Sequence, residues 1–220
     1  MENKGSYYWL LLLIPLVFVV WFFISKNEKQ PLRTLPYFGK KREMSAGDTS
    51  YHTVKPFCFY SQYNEKITEA DVKNKIYVAD FFFTTCQSIC PIMSTELERV
   101  YKEFASNPSV LILSHTVDPE TDSVNVMMNY AKLHGVKDKR WLFLTGEKKH
   151  LYDLAREGYL LNAEEGDGGA EDFIHTQNFA LVDKERHLRG FYDGTDSVEV
   201  SRLITDIKIL LEEYDYKEKH

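Results

Sequence analysis

The sequence predicts an α/β sandwich with a mixed central sheet, and three observations support this. Residues 76–83 form a β-branched and aromatic run, almost continuously apolar, as a central strand buried on both faces would be. From Pro91 the apolar residues change to helical spacing, with Met93, Leu97, Val100, Tyr101 and Phe104 on one stripe. Strand-like and helix-like stretches then alternate down the chain and end in a hairpin and a long helix.

The elements follow in order. Residues 7–24 are an 18-residue apolar run without charge, close to the lower limit for a membrane span, with Tyr7, Tyr8, Trp9 and Trp21 near its ends. No small-residue cleavage motif follows it, so residues 1–25 are expected to be a retained single-pass anchor rather than a signal peptide. Residues 26–50 are polar, contain Pro31, Pro36, Gly39 and Gly47, and read as a linker to the membrane. Two short strands are expected within 54–68, joined near residues 63–66, with Cys58 as a small buried residue on the first. Thr68 to Asp71 fits a capping box or a single helical turn.

After the helix of residues 91–105, a second buried strand spans 110–117 with His115 inside it as a structural residue. Ser123 is placed to cap a helix whose Val124, Met127, Met128 and Ala131 face the core. A third strand (141–144) leads to a helix carrying Leu151, Leu154 and Ala155 and closing near Gly158. Residues 162–172 hold five acids and three glycines and read as a loop. A strand up to Asp183, a turn at Lys184 and Glu185, a strand from Leu188 to Tyr192 and a helix from Ser197 complete a domain spanning 51–214, before a polar tail at 215–220.

The chain has 220 residues, a formal net charge of −6 and no basic stripe, which argues against a nucleic-acid partner. Three cysteines are too few for a disulfide scaffold. Two of them, Cys86 and Cys90, stand where the first buried strand hands over to a helix, the edge at which open α/β sheets place their ligands. Four residues apart, they share one helical face and can aim both sulfurs at one point, where a helix N-terminus favours thiolate. Such a pair suits Cu(I) or Zn(II), and it can also close into a disulfide. A cysteine pair after the first long strand narrows the sandwich to a thioredoxin-like arrangement. Asp118 and Asp122, after the neighbouring strand, read either as helix caps or as outer support for a metal site.

The motif Phe83-Thr84-Thr85-Cys86-Gln87-Ser88-Ile89-Cys90-Pro91, followed by Val117-Asp118-Pro119-Glu120-Thr121-Asp122, Leu144-Thr145-Gly146 and His175 before a Leu-Val-Asp strand, resembles the SCO/SenC family over residues 56–211. Its members are membrane-anchored, thioredoxin-like copper proteins that help assemble cytochrome c oxidase. The resemblance implies copper as the bound ion, with ligands at Cys86, Cys90 and His175. It also implies the copper-bearing subunit of the oxidase as recipient, and a single-pass position in the cell membrane with the domain on the periplasmic or extracytoplasmic side. Flanking charge opposes that topology, because Lys4 alone precedes the span while Lys26, Lys29, Arg33, Lys40, Lys41 and Arg42 follow it. The reading follows the resemblance, since long domains are translocated despite such charge. Gln87 and Ser88 depart from the Pro-Asp that the family often carries there, which removes a negative charge beside the sulfurs.

Two functions follow. The leading one is a copper metallochaperone with no turnover; the other is a thiol–disulfide oxidoreductase in which Cys86 attacks and Cys90 resolves. A peroxidase would need a threonine three residues before its reactive cysteine, where Phe83 stands.

Overall fold

A seven-stranded mixed sheet forms the centre of the computed structural model, which describes residues 33–43, 49–161 and 176–220. The described strands are β1 (Arg42–Glu43), β2 (Thr49–Ser50), β3 (Cys58–Ser61), β4 (Lys66–Thr68), β5 (Ile76–Phe82), β6 (Val110–Thr116), β7 (Trp141–Thr145), β8 (Asn178–Val182) and β9 (Leu188–Asp193). The helices are α1 (Cys90–Glu103), α2 (Val124–Leu133), α3 (Lys148–Asp153), extended by a π-helical turn at Leu154–Gly158, and α4 (Ser197–Lys219). Apart from β1 and β2, which pair with each other, the strands lie in the order β4-β3-β7-β6-β5-β8-β9. β5, β6 and β7 are parallel, and the flanking pairs are antiparallel.

β5 is buried at every residue because both faces of the sheet are covered. Tyr77, Ala79 and Phe81 pack with Leu151, Leu154, Ala155 and Tyr159 on one face. On the other, Ile76, Val78 and Phe82 pack with Leu97 of α1, Met127 of α2 and Leu203 and Ile207 of α4. Met127 is thus core, as its helical spacing suggests. α2 ends in a Schellman motif: Gly135 takes φ +69°, its N–H donates to Lys132 O, and Val136 N–H donates to Ala131 O. α4 continues through Lys219 and takes in the polar residues from Asp215.

Residues Thr34–His220 form one compact unit. Within the stretch read as a linker, residues 35–38 are tied to β9. Arg189 donates to Pro36 O (3.1 Å) and Leu35 O (2.7 Å), and Phe38 N–H donates to Leu188 O (2.9 Å). Arg189 is itself buried, between Asp183 (2.9 Å) and Glu213 (2.9 Å), with the Tyr37 ring stacked on its guanidinium at 4.1 Å. Cys58 corrects an expectation. It lies on β3 but is exposed, because the alternation of this outer strand turns Phe57 and Phe59 inward and Cys58 and Tyr60 outward. Among the described residues no helix is long and apolar enough to cross a membrane, and the 7–24 run lies outside them.

Candidate metal centre

The C-terminal edges of β5 and β6 coincide, with Phe82 opposite Thr116, and the cysteine turn rises from that edge. Cys86 N–H donates to Phe83 O (3.2 Å), and the chain enters α1 at Cys90 with Pro91 in the first turn. Ile89 occupies the N-cap and has no side chain to offer the free N–H groups of the first turn. One of them is used by a sulfur, since Cys90 N–H donates to Cys86 Sγ at 3.4 Å.

The two thiols differ. Cys86 is half-buried and Cys90 buried, and both are free. Burial works against the Cys86 thiolate, but bonds from the Cys90 thiol, from the Cys90 N–H and from Ser88, whose Oγ lies 3.7 Å away, outweigh it. Its pKa falls below the ordinary thiol value. Burial and the hydrogen bond with Cys86 push the Cys90 thiol up to about 12. One ready anion therefore sits over one retained proton, joined by a hydrogen bond, in a geometry that admits either a soft ion or an S–S bond.

Asp122 does not bond either sulfur. It is fully buried and accepts from Thr84 N–H (3.2 Å), the Thr84 hydroxyl and the Thr116 hydroxyl, so that it holds the start of the cysteine turn against β6. Burial raises its pKa and these bonds oppose the rise. The Asp118 carboxylate makes no hydrogen bond or ion pair among the described residues; its backbone carbonyl closes the turn by accepting from Thr121 and Asp122. His175 lies outside the described residues. Thr176 is buried, and Asn178 opens β8, which runs antiparallel to β5 and therefore begins at the edge where β5 ends. Cys58 is separated from β5 by β7 and β6 and takes no part.

A buried polar group behind the thiols escaped the sequence reading. Asp80 sits in mid-β5 on the face that packs against α1 and accepts from Ser114 Oγ (2.5 Å), which in turn accepts from Trp141 Nε1–H (2.9 Å). Burial pushes its carboxyl up to about 7, with the Ser114 bond partly opposing, and its charge helps to raise Cys90. On the opposite face His115 is buried among Phe57, Phe59, Phe81 and Tyr159, and burial lowers its pKa to about 4. The signal for Asp80 was available: an acid within an otherwise apolar strand. A second donor cluster, Asp183, Glu185 and His187 within 4.8 Å of one another, is a turn scaffold, because Asp183 accepts from the N–H groups of Glu185 and His187 and pairs with Arg189.

Residues 45–212 match the family described as SCO1/SenC. The SCO1 protein homolog of Bacillus subtilis (strain 168) is 28% identical over 163 residues, covering 73% of this chain and 84% of that protein. Among solved structures, a SCO1/SenC family lipoprotein from Bacillus anthracis str. Ames superposes with a TM-score of 0.64 at 25% identity, covering 73% of this chain and 95% of that one. BsSco, a member of the Sco family of cytochrome c oxidase assembly proteins in which a disulfide switch is described, gives 0.61 at 28% identity, with 71% and 92% coverage. Copper-bound ScoI of Arabidopsis thaliana gives 0.57 at 23% identity, with 74% and 99% coverage, which supports the fold alone.

Proposed function

This chain belongs to the SCO1/SenC family, and on that premise we propose that it is a membrane-anchored copper metallochaperone serving the assembly of cytochrome c oxidase. Copper is its cargo, taken by Cys86 and Cys90 with His175 as third ligand, and the copper-bearing subunit of the oxidase is its recipient. Residues 1–25 are the anchor, 26–50 the connection, 51–214 the copper-binding domain on the extracytoplasmic side and 215–220 the polar end. The observation that carries this reading is the cysteine pair at the head of α1. Cys86 is already biased toward thiolate, and Cys90 releases its proton when a soft cation replaces it. Asp122 supports the site through Thr84 rather than by reaching the ion. The start of β8 at the same edge supports His175 as the residue that closes the site.

Anaerobic Cu(I) titration of the reduced full chain tests this, with thiols counted before and after. The expected result is that Cys86 and Cys90 both lose reactivity toward a maleimide as copper binds, while exposed Cys58 stays reactive. Unchanged copper uptake in Cys86→Ser or in the oxidised protein would refute the reading. His175→Ala should still take Cu(I) but hold Cu(II) poorly, read from the thiolate charge-transfer band and electron paramagnetic resonance.

The inequality of the two thiols favours a second activity at the same place. The Cys86 thiolate attacks a partner disulfide, Cys90 then displaces the partner as a dithiol, and the Cys86–Cys90 disulfide keeps the oxidising equivalents. The disulfide switch described for BsSco is in line with this.

A further inference from the structure

The edge of the sheet opposite the thiols has a distinct composition. Because β5, β6 and β7 are parallel and in register from Ile76, Val110 and Trp141, the residues just before β5 and β7 share one edge. Lys73 and Lys75 precede β5, and Lys137, Lys139 and Arg140 precede β7. Lys75, Lys139 and Arg140 border a cleft of ≈ 640 Å³ there, together with Glu65, Asp71 and Asp138 and with Lys66, which reaches it from β4. Glu65 pairs with Lys139 and Asp138 with Arg140, but Lys66, Lys73 and Lys137 are exposed and form no ion pair among the described residues. The thiol edge carries Asp118 and exposed Glu120 after β6, Asp193 at the end of β9 and Asp196 just before α4. A chain of net charge −6 thus places three lysines without ion pairs at one edge, where exposed Asp71 also lies, while the other edge carries these acids together with Lys148 and Lys149.

The chain also enters the unit at the cationic edge. Register places Val182 opposite Tyr77, near the start of β5, and the next residue, Asp183, holds Arg189, which binds the Leu35 and Pro36 carbonyls. Ten residues, 25–34, separate Leu35 from the apolar run 7–24. We propose that this edge is a docking surface for an anionic lipid bilayer, engaged through Lys66, Lys73 and Lys137, so that the thiol edge faces away from it. The proposal rests on reading 7–24 as an anchor for where the bilayer lies, and on charge complementarity for what the surface binds. The seven residues of β5 set the thiols roughly 20 Å beyond the docked edge.

The test uses the full chain reconstituted in vesicles of neutral phosphatidylcholine, or of phosphatidylcholine mixed with anionic phosphatidylglycerol. Lysine acetylation is read residue by residue by mass spectrometry. Anionic vesicles should slow labelling of Lys66, Lys73 and Lys137 by about fivefold relative to neutral ones. Lys149, exposed beyond the far end of β7, should be unchanged. High salt should abolish the protection, and the surface pair Lys73→Glu with Lys137→Glu should remove it at Lys66. Equal labelling on both vesicle types, or protection of Lys149 instead, would overturn the docking surface. Flotation with neutral vesicles scores the anchor separately. A chain that floats without lysine protection keeps the anchor and loses the surface, and one that is protected by anionic vesicles without floating on neutral ones keeps the surface and loses the anchor.

Discussion

Among the buried ionisable side chains of the described residues, the Arg189 cluster and Asp80 stay compatible with the interior in opposite ways. Near the start of β9, Arg189 runs between Asp183 and Glu213 and keeps its charge. Burial works against it, but the two carboxylates hold its pKa above the ordinary arginine value. Burial also works against the Glu213 carboxylate, and Lys217 and Arg189 together keep its pKa below the usual range. In mid-β5, Asp80 has one hydroxyl and no cation, and burial carries its carboxyl up to about 7. A paired charge survives burial because Coulomb attraction and hydrogen bonds replace water, whereas a lone carboxyl takes up a proton instead. The paired cluster fastens chain segments together; the lone acid leaves a titratable group behind the thiols.

The largest effect should come from breaking the pairing. Arg189→Met leaves two buried carboxylates and two backbone carbonyls without their donor, and should cost about 3–5 kcal/mol in urea unfolding. It should also release residues 35–38 and make the neighbouring Lys40 a site for trypsin. A loss under about 1 kcal/mol would mean that the cluster is less buried than its geometry indicates.

Removing the lone charge should have the reverse sign. Asp80→Asn keeps the shape and the Ser114 bond. Wild-type Asp80, with a folded pKa near 7 against 3.8 unfolded, contributes stability below pH 3.8 that is lost as pH rises through 7. The variant should therefore be more stable than wild type at pH 8 by on the order of 4 kcal/mol, and nearly equal to it at pH 4. His115 has the opposite slope: its folded pKa of about 4 lies below the unfolded 6.5, so its contribution is lost as pH falls from 6.5 to 4. In the wild type the two slopes oppose each other between about pH 4 and 6.5. A gain in Asp80→Asn that did not depend on pH would show that the carboxyl does not titrate in this range.

The smallest expected effect lies at the surface, where neither remedy is needed. Ser88 helps to hold the Cys86 pKa down across 3.7 Å, partly in solvent. Ser88→Ala should raise the Cys86 pKa by a few tenths, measured as the pH dependence of iodoacetamide alkylation, with little change in stability. A rise of more than a unit would give Ser88 a larger share of the thiolate than its geometry allows.

The central part of the fold was legible because its signals are local. A buried parallel strand is a continuous apolar run, and residues 76–83 and 110–117 show that directly, as does the stripe of α1. The cysteine pair was legible from its place where a buried strand hands over to a helix, although only Cys90 lies on α1 and Cys86 belongs to the turn before it. Long-range relations were not legible. Arg189 in Leu188-Arg189-Gly190-Phe191 gives no sign of holding carbonyls more than 150 residues earlier. Cys58 was expected to be buried and is exposed, because a small residue between two phenylalanines does not itself show which face of the strand it takes. Asp122 was singled out, but its bonding to Thr84 depends on the register between β5 and β6, which only the folded sheet supplies.

That bond has a consequence for when the site comes into being. The turn before Cys86 is fastened by a carboxylate 38 residues further along the chain, beyond α1 and the whole of β6. A chain growing from its N-terminus exposes both cysteines before the residue that sets their spacing has been made, and the turn closes only when β6 has paired with β5 and Asp122 has followed it. Until then the two sulfurs are held together only by local contacts. Assembly of the site therefore belongs to the later, long-range part of folding rather than to the early helical part in which Cys90 itself lies.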